Sequence, residues 1–305
     1  MTSATSSYSE QEDREEPILS KIGLLRIALL MLVIGTVWRI VDIFAFQLGE
    51  TPMNILPSKL GPLLVILLVF WRYRPNEIST VLGLSKKDFR PQLILGTIIG
   101  FTIILSVNFL GPLIFHLLFD STYPLDIHVV YPELFLYLLI FFLINAVFEE
   151  ILFRGILQNG LINRFSFPRA LLIQSIIFGI WHAVWPIANG PTSDTFIQES
   201  LSVVVLSGLI GGFFGIYYEK FSHRRTLIGP IVAHTIFNFI NESFKVGPAP
   251  QVQGPDFSFT EPALMIISLL IFMVVFCSMI VLALKYRIED VINLRNRVSL
   301  LLRRI

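Results

Sequence analysis

The sequence contains a single cysteine, Cys277, which lies in the apolar run Ile266–Leu284. Because there is no second cysteine, intrachain disulfides and metal sites built from several cysteines are excluded. Charged residues are also scarce: they make up 15% of the chain, whereas soluble domains contain roughly one quarter. Since 54% of the residues are hydrophobic, the composition indicates a membrane protein.

The N-terminal region lacks the apolar stretch of a secretory signal peptide. Met1–Glu16 is instead rich in Ser, Thr and Glu, so we expect residues 1–22 to be a solvated tail. The apolar runs that follow continue almost to the end of the chain. They predict one transmembrane helical domain over residues 23–285, with a motif-bearing core at 131–244, and a basic cytoplasmic tail at 286–305.

The apolar runs are long enough to cross a bilayer, which takes about 20 mostly apolar residues per helix. About eight segments fit, so the sequence predicts an all-α polytopic membrane helix bundle. The segments are Gly23–Leu48, Ile55–Trp71, Leu93–Phe119, Tyr131–Phe153, Ala170–Ala188, Ile197–Tyr218, Leu227–Phe244 and Ala263–Leu284.

Lys and Arg are concentrated in alternate loops between these segments. Asp120–Val130 and Asn189–Phe196 contain none, whereas the segment after the last span is rich in Arg. Because short cytoplasmic loops carry the excess of positive charge, both termini are predicted to be cytoplasmic. The net charge of +1 and the absence of a continuous basic stripe argue against a nucleic-acid partner.

Four glycines in the sixth span recur at small-xxx-small spacings: Gly208, Gly211, Gly212 and Gly215. Such spacing allows the backbone of a neighbouring helix to approach closely. We therefore predict that this span packs tightly against another helix.

Glu149 and Glu150 interrupt the end of the fourth span. Ionisable groups inside a membrane cost a few kcal/mol each on insertion scales, so each requires a partner or a function. Glu150 and Arg154 are four residues apart with the acid N-terminal, which favours an ion pair on one helix face. Glu149 points about 100 degrees away from Glu150 on an α-helix. It is predicted to lack that partner, which suits a general base.

Two histidines lie inside the fifth and seventh spans. His182 ends a Phe-x-x-x-His pattern, and His234 and Asn238 are four residues apart, on one face of a helix. Counting about 1.5 Å per residue from the cytoplasmic flank of each span puts Glu149, His182 and His234 at comparable depths. These three side chains are therefore predicted to meet. Arg39, in the first span, is expected to form a structural pair with Asp42.

The motifs occur on separate helices in the order Glu-Glu-x-x-x-Arg, Phe-x-x-x-His, His-x-x-x-Asn. This set resembles the CAAX prenyl protease type II and bacteriocin-processing family of intramembrane proteases, over about Tyr131–Asn238. The resemblance implies a membrane endopeptidase that hydrolyses a peptide bond. It also implies a peptide or protein substrate, either prenylated or carrying a leader peptide, and the lipid bilayer as surroundings.

The resemblance further implies a role for each motif residue. Glu149 and His182 would activate a water molecule, while His234 and Asn238 would stabilise the oxyanion. The remaining motif residues would have supporting roles: Glu150, Arg154 and Phe178.

A metalloprotease would use Glu149, His182 and His234 as the three protein ligands of a catalytic zinc. The usual His-Glu-x-x-His helix is missing, because Ala183 follows His182 and Thr235 follows His234. Apart from Glu150, which is already assigned to Arg154, few acceptors that could orient zinc-bound histidines lie nearby in the sequence. We therefore expect no cofactor and a metal-independent water, with zinc as the alternative.

Two other functions are alternatives for this chain. A proton-coupled transporter would relay protons through Glu149, Glu150 and His182, although no inverted repeat is apparent. A non-catalytic immunity or scaffolding protein would not need both acids, both histidines and the asparagine. We expect the protein to be multi-pass in the cell membrane, or in the endoplasmic-reticulum membrane if the source is eukaryotic.

Overall fold

A computed structural model describes residues 23–47, 59–83, 85, 88–189, 196–248, 262–290 and 292–293. Helices dominate these residues, which confirms the predicted all-α class. The helices are α1 (Leu24–Val41), α2 (Gly61–Tyr73), α3 (Ile78–Val81), α4 (Phe89–Leu105), α5 (Gly111–Leu118), α6 (Phe135–Glu150), α7 (Asn159–Ile162), α8 (Phe167–His182), α9 (Val184–Asn189), α10 (Phe196–Lys220), α11 (Ile228–Ser243) and α12 (Pro262–Lys285).

Five helical stretches among the described residues are long and apolar enough to cross a membrane, which confirms a polytopic membrane bundle. They are Leu24–Phe46, Phe89–Leu118, Pro132–Ile162, Ser200–Lys220 and Ala263–Lys285. The other three predicted spans form the shorter helices α2, α8 and α11. Each 16-residue helix, α8 and α11, covers about 24 Å, which is less than the roughly 30 Å of a bilayer core. Eight full crossings and cytoplasmic termini stay predictions.

The division into tails and a membrane domain also stays a prediction. The expected N-terminal tail at 1–22 lies outside the described residues. The expected C-terminal tail at 286–305 is described only at 286–290 and 292–293.

The predicted fifth span is interrupted directly after His182, where α8 ends and a turn at Ala183 leads into α9. Pro186 explains the break. In a continuous helix its ring would clash with the carbonyl of His182, four residues earlier, and its nitrogen could not donate to that carbonyl. As the third residue of α9, Pro186 lies in a first turn, where no backbone donor is needed. His182 is therefore at a helix end.

Three α-helices continue directly into π-helical segments. These segments are Asp42–Phe46 after α1, Ser106–Leu110 after α4 and Ile151–Gln158 after α6. Segments of this kind are rare and occur frequently at functional sites. The third begins immediately after Glu150, so the local winding changes where the motif carboxylates lie.

Helices α8 and α10 approach each other at glycines. Gly179 of α8 faces the carbonyl of Val204, and a Cβ on Gly208 would lie 3.2 Å from the carbonyl oxygen of Ser175. Side chains at these positions would push the helices apart. The predicted close packing of the glycine-rich sixth span is thus confirmed.

Most buried apolar side chains form two large clusters. The first contains Phe148, Phe153 and Phe178, and the second contains Phe214 and other residues of α4, α10, α11 and α12. The ring of His234 lies 6.3 Å from that of Phe178 and 5.6 Å from that of Phe214. The candidate site therefore lies between the two clusters.

A small antiparallel sheet links two loops of the bundle. Strand β1 (Ile127–Val129) precedes α6 and pairs with β2 (Phe244–Val246), which directly follows α11. His128 lies opposite Lys245 in this pairing. The sheet was not predicted, because three-residue strands carry little pattern in a sequence of this hydrophobicity.

Candidate active site

Glu149 and Glu150 are the last two residues of α6, and both are almost completely buried, with 2% and 0% of their surface exposed. Arg154 follows in the π-helical segment Ile151–Gln158 and is also fully buried. Charges at such depth are rare unless they are paired or functional. Three of them within six residues therefore need partners on the surrounding helices.

The predicted ion pair between Glu150 and Arg154 is present. Arg154 Nη1 donates to Glu150 Oε1 at 2.9 Å, and Nη2 donates to the carbonyl of Gly211 on α10 at 3.0 Å. The guanidinium lies over the ring of Phe178, 4.4 Å from its centroid. Charge-assisted hydrogen bonds and a cation–π contact thus hold Arg154 against three helices.

Glu150 has a second partner that its spacing does not reveal. His234 Nδ1 lies 2.8 Å from Glu150 Oε1. A carboxylate bound to an arginine acts as acceptor, so the proton of this hydrogen bond belongs to Nδ1 of His234. The Nε2 atom of neutral His234 then carries a lone pair.

His182 is oriented in the same way, from its own helix. Its Nδ1 lies 2.8 Å from the carbonyl oxygen of Phe178, which can only accept, so Nδ1 carries the proton. The Nε2 atoms of both histidines face Glu149 Oε2, at 3.8 Å for His182 and 3.7 Å for His234. Both separations exceed a direct hydrogen bond. The predicted meeting of these three side chains is confirmed, while their catalytic roles stay predictions.

Asn238 lies one helical turn beyond His234 on α11 and is half-buried. Within the described part of the chain, no hydrogen bond or ion pair joins it to the two glutamates or to either histidine. Because Asn238 and His234 are four residues apart, they lie on the same face of α11. Its predicted role as an oxyanion donor is not tested by these contacts.

Glu149 does not pair with Arg154, as predicted, but it has another basic neighbour. Arg39 Nη1 of α1 lies 3.9 Å from Glu149 Oε1, and Arg39 is 7% exposed. Lys59, at the start of the second apolar segment, also interacts electrostatically with Glu149. Spacing along α6 could not reveal these partners, because they come from helices about 90 or more residues earlier in the chain.

Reasoning from sequence missed the contribution of the first helix. The signal was available in part, since an arginine inside an apolar span requires an anionic partner. The nearest candidate was Asp42, with which Arg39 does interact electrostatically. The additional contact with Glu149 depends on how α1 packs against the bundle.

Both Nδ1 atoms have an acceptor in the structure: the carboxylate of Glu150 for His234, and the carbonyl of Phe178 for His182, which was not predicted. Ligands of one tetrahedral zinc, each about 2.0–2.1 Å from the ion, are about 3.4 Å apart. The Nε2 atoms of His182 and His234 lie 3.8 and 3.7 Å from Glu149 Oε2, which is slightly more. Within the described residues, no group of three or more His, Cys, Asp or Glu side chains is placed to hold a metal ion.

These features define a polytopic membrane protein with a cluster of two buried carboxylates, the buried His234 and the partly exposed His182 where helices α1, α6, α8 and α11 meet. Residues 131–240, which contain every motif residue, match the family model described as Type II CAAX prenyl endopeptidase Rce1-like. This match confirms the resemblance to the CAAX protease family that the motifs indicate. No curated protein matches the chain. The structure is therefore that of a membrane-embedded protein whose motif-bearing region is similar to a protease family.

Proposed function

We propose that the protein is an intramembrane endopeptidase in which Glu149 and His182 activate a water molecule. The observation that carries this proposal is the convergence of Glu149 Oε2 with the Nε2 atoms of His182 and His234 at 3.7–3.8 Å. A water bound to Oε2 could also reach an Nε2 atom. Two acceptors then share its protons as its oxygen attacks the peptide carbonyl.

The second half of the proposed mechanism concerns the oxyanion. His234 can donate from Nε2 only when it also carries a proton there, because its Nδ1 proton is already bound to Glu150. The carboxylate of Glu150 stabilises such an imidazolium, as the buried aspartate does in a Ser-His-Asp triad. Asn238 needs no change of protonation to donate. His234 and Asn238 together would then stabilise the tetrahedral oxyanion.

The supporting residues act through these groups. Arg154 compensates the charge of Glu150 and ties it to α10 through Gly211. Phe178 contributes its carbonyl to His182 and its ring to Arg154. Both fix the side chains that face the substrate, and neither would take part in proton transfer.

The substrate would be a peptide or protein presented at or in the bilayer, either prenylated or bearing a leader peptide. The predicted domain organisation, with a membrane domain at 23–285 and solvated tails at 1–22 and 286–305, would fit this function. We propose the cell membrane as its location, with cytoplasmic termini. No cofactor is required by this mechanism; if zinc were bound instead, Glu149, His182 and His234 would be its ligands.

Substitution of Glu149 in purified protein tests the proposal. Wild-type protein in proteoliposomes should cleave members of a fluorogenic peptide library, and Glu149→Gln should abolish cleavage while the protein remains folded. Glu133→Gln is the matched control, since Glu133 is exposed near the other end of the same helical stretch. Full cleavage by Glu149→Gln would contradict the assignment of the base.

A transporter remains the competing function, because buried ionisable side chains connect α1, α6 and α11. The same proteoliposomes distinguish the two. Proton uptake that depends on Glu149, without peptide cleavage, would favour transport.

A further inference from the structure

Arg39 of α1 lies outside the region that matches the protease family, yet it contacts the central carboxylate. It is 7% exposed, and its Nη1 atom lies 3.9 Å from Glu149 Oε1. Its guanidinium also lies over the ring of Trp181, 5.3 Å from the centroid. Trp181 directly precedes His182 in α8. The arginine thus bridges the two helices that carry the proposed water-activating pair.

The two oxygens of Glu149 have different neighbours. Oε1 faces Arg39, whereas Oε2 faces the Nε2 atoms of His182 and His234. The terminal torsion of a glutamate has no sharp rotamer preference, so the plane of the carboxylate is set by what its oxygens contact. At 3.8 and 3.7 Å, neither Nε2 atom forms a hydrogen bond that would hold Oε2. A cation on the Oε1 side can therefore set the plane.

Arg39 also has neighbours on α1 and α8. Trp181 packs against α1 at Gly35, where an added Cβ would lie 2.9 Å from the indole ring. Asp42, one turn along α1, interacts electrostatically with the guanidinium. A planar guanidinium stacked on an aromatic ring cannot be replaced by a lysine without loss of geometry.

We propose that Arg39 is a positioning residue, which directs Glu149 Oε2 toward His182 and His234 by holding Oε1 from the first helix. This inference rests on the proposed function. Arg39 would touch neither the water nor the substrate. Its loss should therefore lower kcat and leave KM nearly unchanged.

The test compares Arg39→Gln, Arg39→Lys and the control Arg26→Gln in proteoliposomes with a cleaved reporter peptide. Arg26 is on the same helix and is exposed. We expect Arg39→Gln to lower kcat about 100-fold, because small misplacements of catalytic groups have effects of this size. Arg39→Lys should have a kcat about tenfold higher than Arg39→Gln, because lysine restores the positive charge but not the planar set of N–H donors of the guanidinium. Arg26→Gln should match wild type.

A second measurement tests the contact between Arg39 and Glu149 without relying on peptidase activity. Unfolding temperatures of Arg39→Gln, Glu149→Gln and the double variant should be non-additive, because the two side chains are in contact. If wild type cleaves no peptide but the cycle is non-additive, the proposed function fails and the contact stands. Additive unfolding temperatures, or wild-type kcat in Arg39→Gln, would overturn the inference. If Arg39→Gln does not fold, wild-type kcat in Arg39→Lys overturns it and about tenfold lower kcat supports it.

Discussion

Arg154→Met perturbs the buried network most directly, because it keeps an unbranched side chain and removes the charge. Arg154 and Glu150 are fully buried, with their charged atoms 2.9 Å apart. Removing one partner of a buried ion pair costs about 3–5 kcal/mol, since the other charge is left uncompensated. The lost hydrogen bond to Gly211 and the contact with Phe178 belong to the same network and are not added separately.

The double variant Glu150→Gln/Arg154→Met removes both charges. It should recover part of this loss, with a coupling of at least about 1 kcal/mol between the two positions. The assay is the apparent free energy of unfolding, measured by titration with SDS in mixed micelles. If the effects of the single substitutions add within about 0.5 kcal/mol, the ion pair does not contribute as described.

A surface pair provides the matched control. Arg74 and Glu77 form an ion pair at 2.7 Å, with 15% and 35% of their side chains exposed. The corresponding substitutions, Glu77→Gln and Arg74→Met, should show a coupling below about 1 kcal/mol, because solvent screens the pair. A coupling as large as that of the buried pair would refute the role assigned to burial.

The double variant Glu150→Gln/Arg154→Met should recover part of the stability but not the peptidase activity. Glu150 also accepts the Nδ1 proton of His234 at 2.8 Å, and a glutamine can accept this proton without stabilising an imidazolium. We therefore expect kcat to stay at least about 100-fold below wild type, since the corresponding amide substitution in a serine-protease triad costs about 10⁴-fold. Recovery of both stability and kcat would limit Glu150 to a structural role.

Three further predictions concern the oxyanion, the topology and metal. Asn238→Ala should lower kcat about 100- to 1000-fold with little change in unfolding temperature, and an unchanged kcat would remove Asn238 from the site. With Cys277→Ser as background, cysteines introduced at Ser7 and Asp194 should be labelled from opposite sides of the membrane; labelling from one side would refute the predicted topology. Chelators should leave the activity of purified protein unchanged, whereas stoichiometric zinc, with activity lost on chelation and restored by zinc, would move the two histidines from catalysis to coordination.

The sequence predicted the helices well, because the hydrophobic pattern alone determines which segments become helical in a bilayer. The predicted seventh span Leu227–Phe244 differs from α11 by one residue at each end. Pro186 predicted a break in the fifth span, and the helix α8 does end one turn before it, at His182. The π-helical segments could not be predicted, because their winding depends on tertiary packing.

The site was predictable where its geometry is local. Glu150 and Arg154 are neighbours on one helix turn, and their pairing follows from spacing. The partners of Glu149 come from α1, α8 and α11. Comparing the depths of side chains within their spans predicted the two histidines but not the arginine of α1. Arg39 was assigned to Asp42, its neighbour in sequence, because a single sequence contains no information about which distant helix lies beside α1.

The most direct test of the central claim is single-turnover hydrolysis of a cleaved peptide in heavy-oxygen water, with mass spectrometry of the products. A water activated by Glu149 predicts one heavy oxygen in the new carboxyl terminus, none in the Glu149 side chain, and no labelled product from Glu149→Gln. Heavy oxygen in the Glu149 carboxylate would instead indicate a covalent acyl intermediate on this residue. Equal labelling of the product by wild type and Glu149→Gln would show that another group activates the water, and would contradict the account.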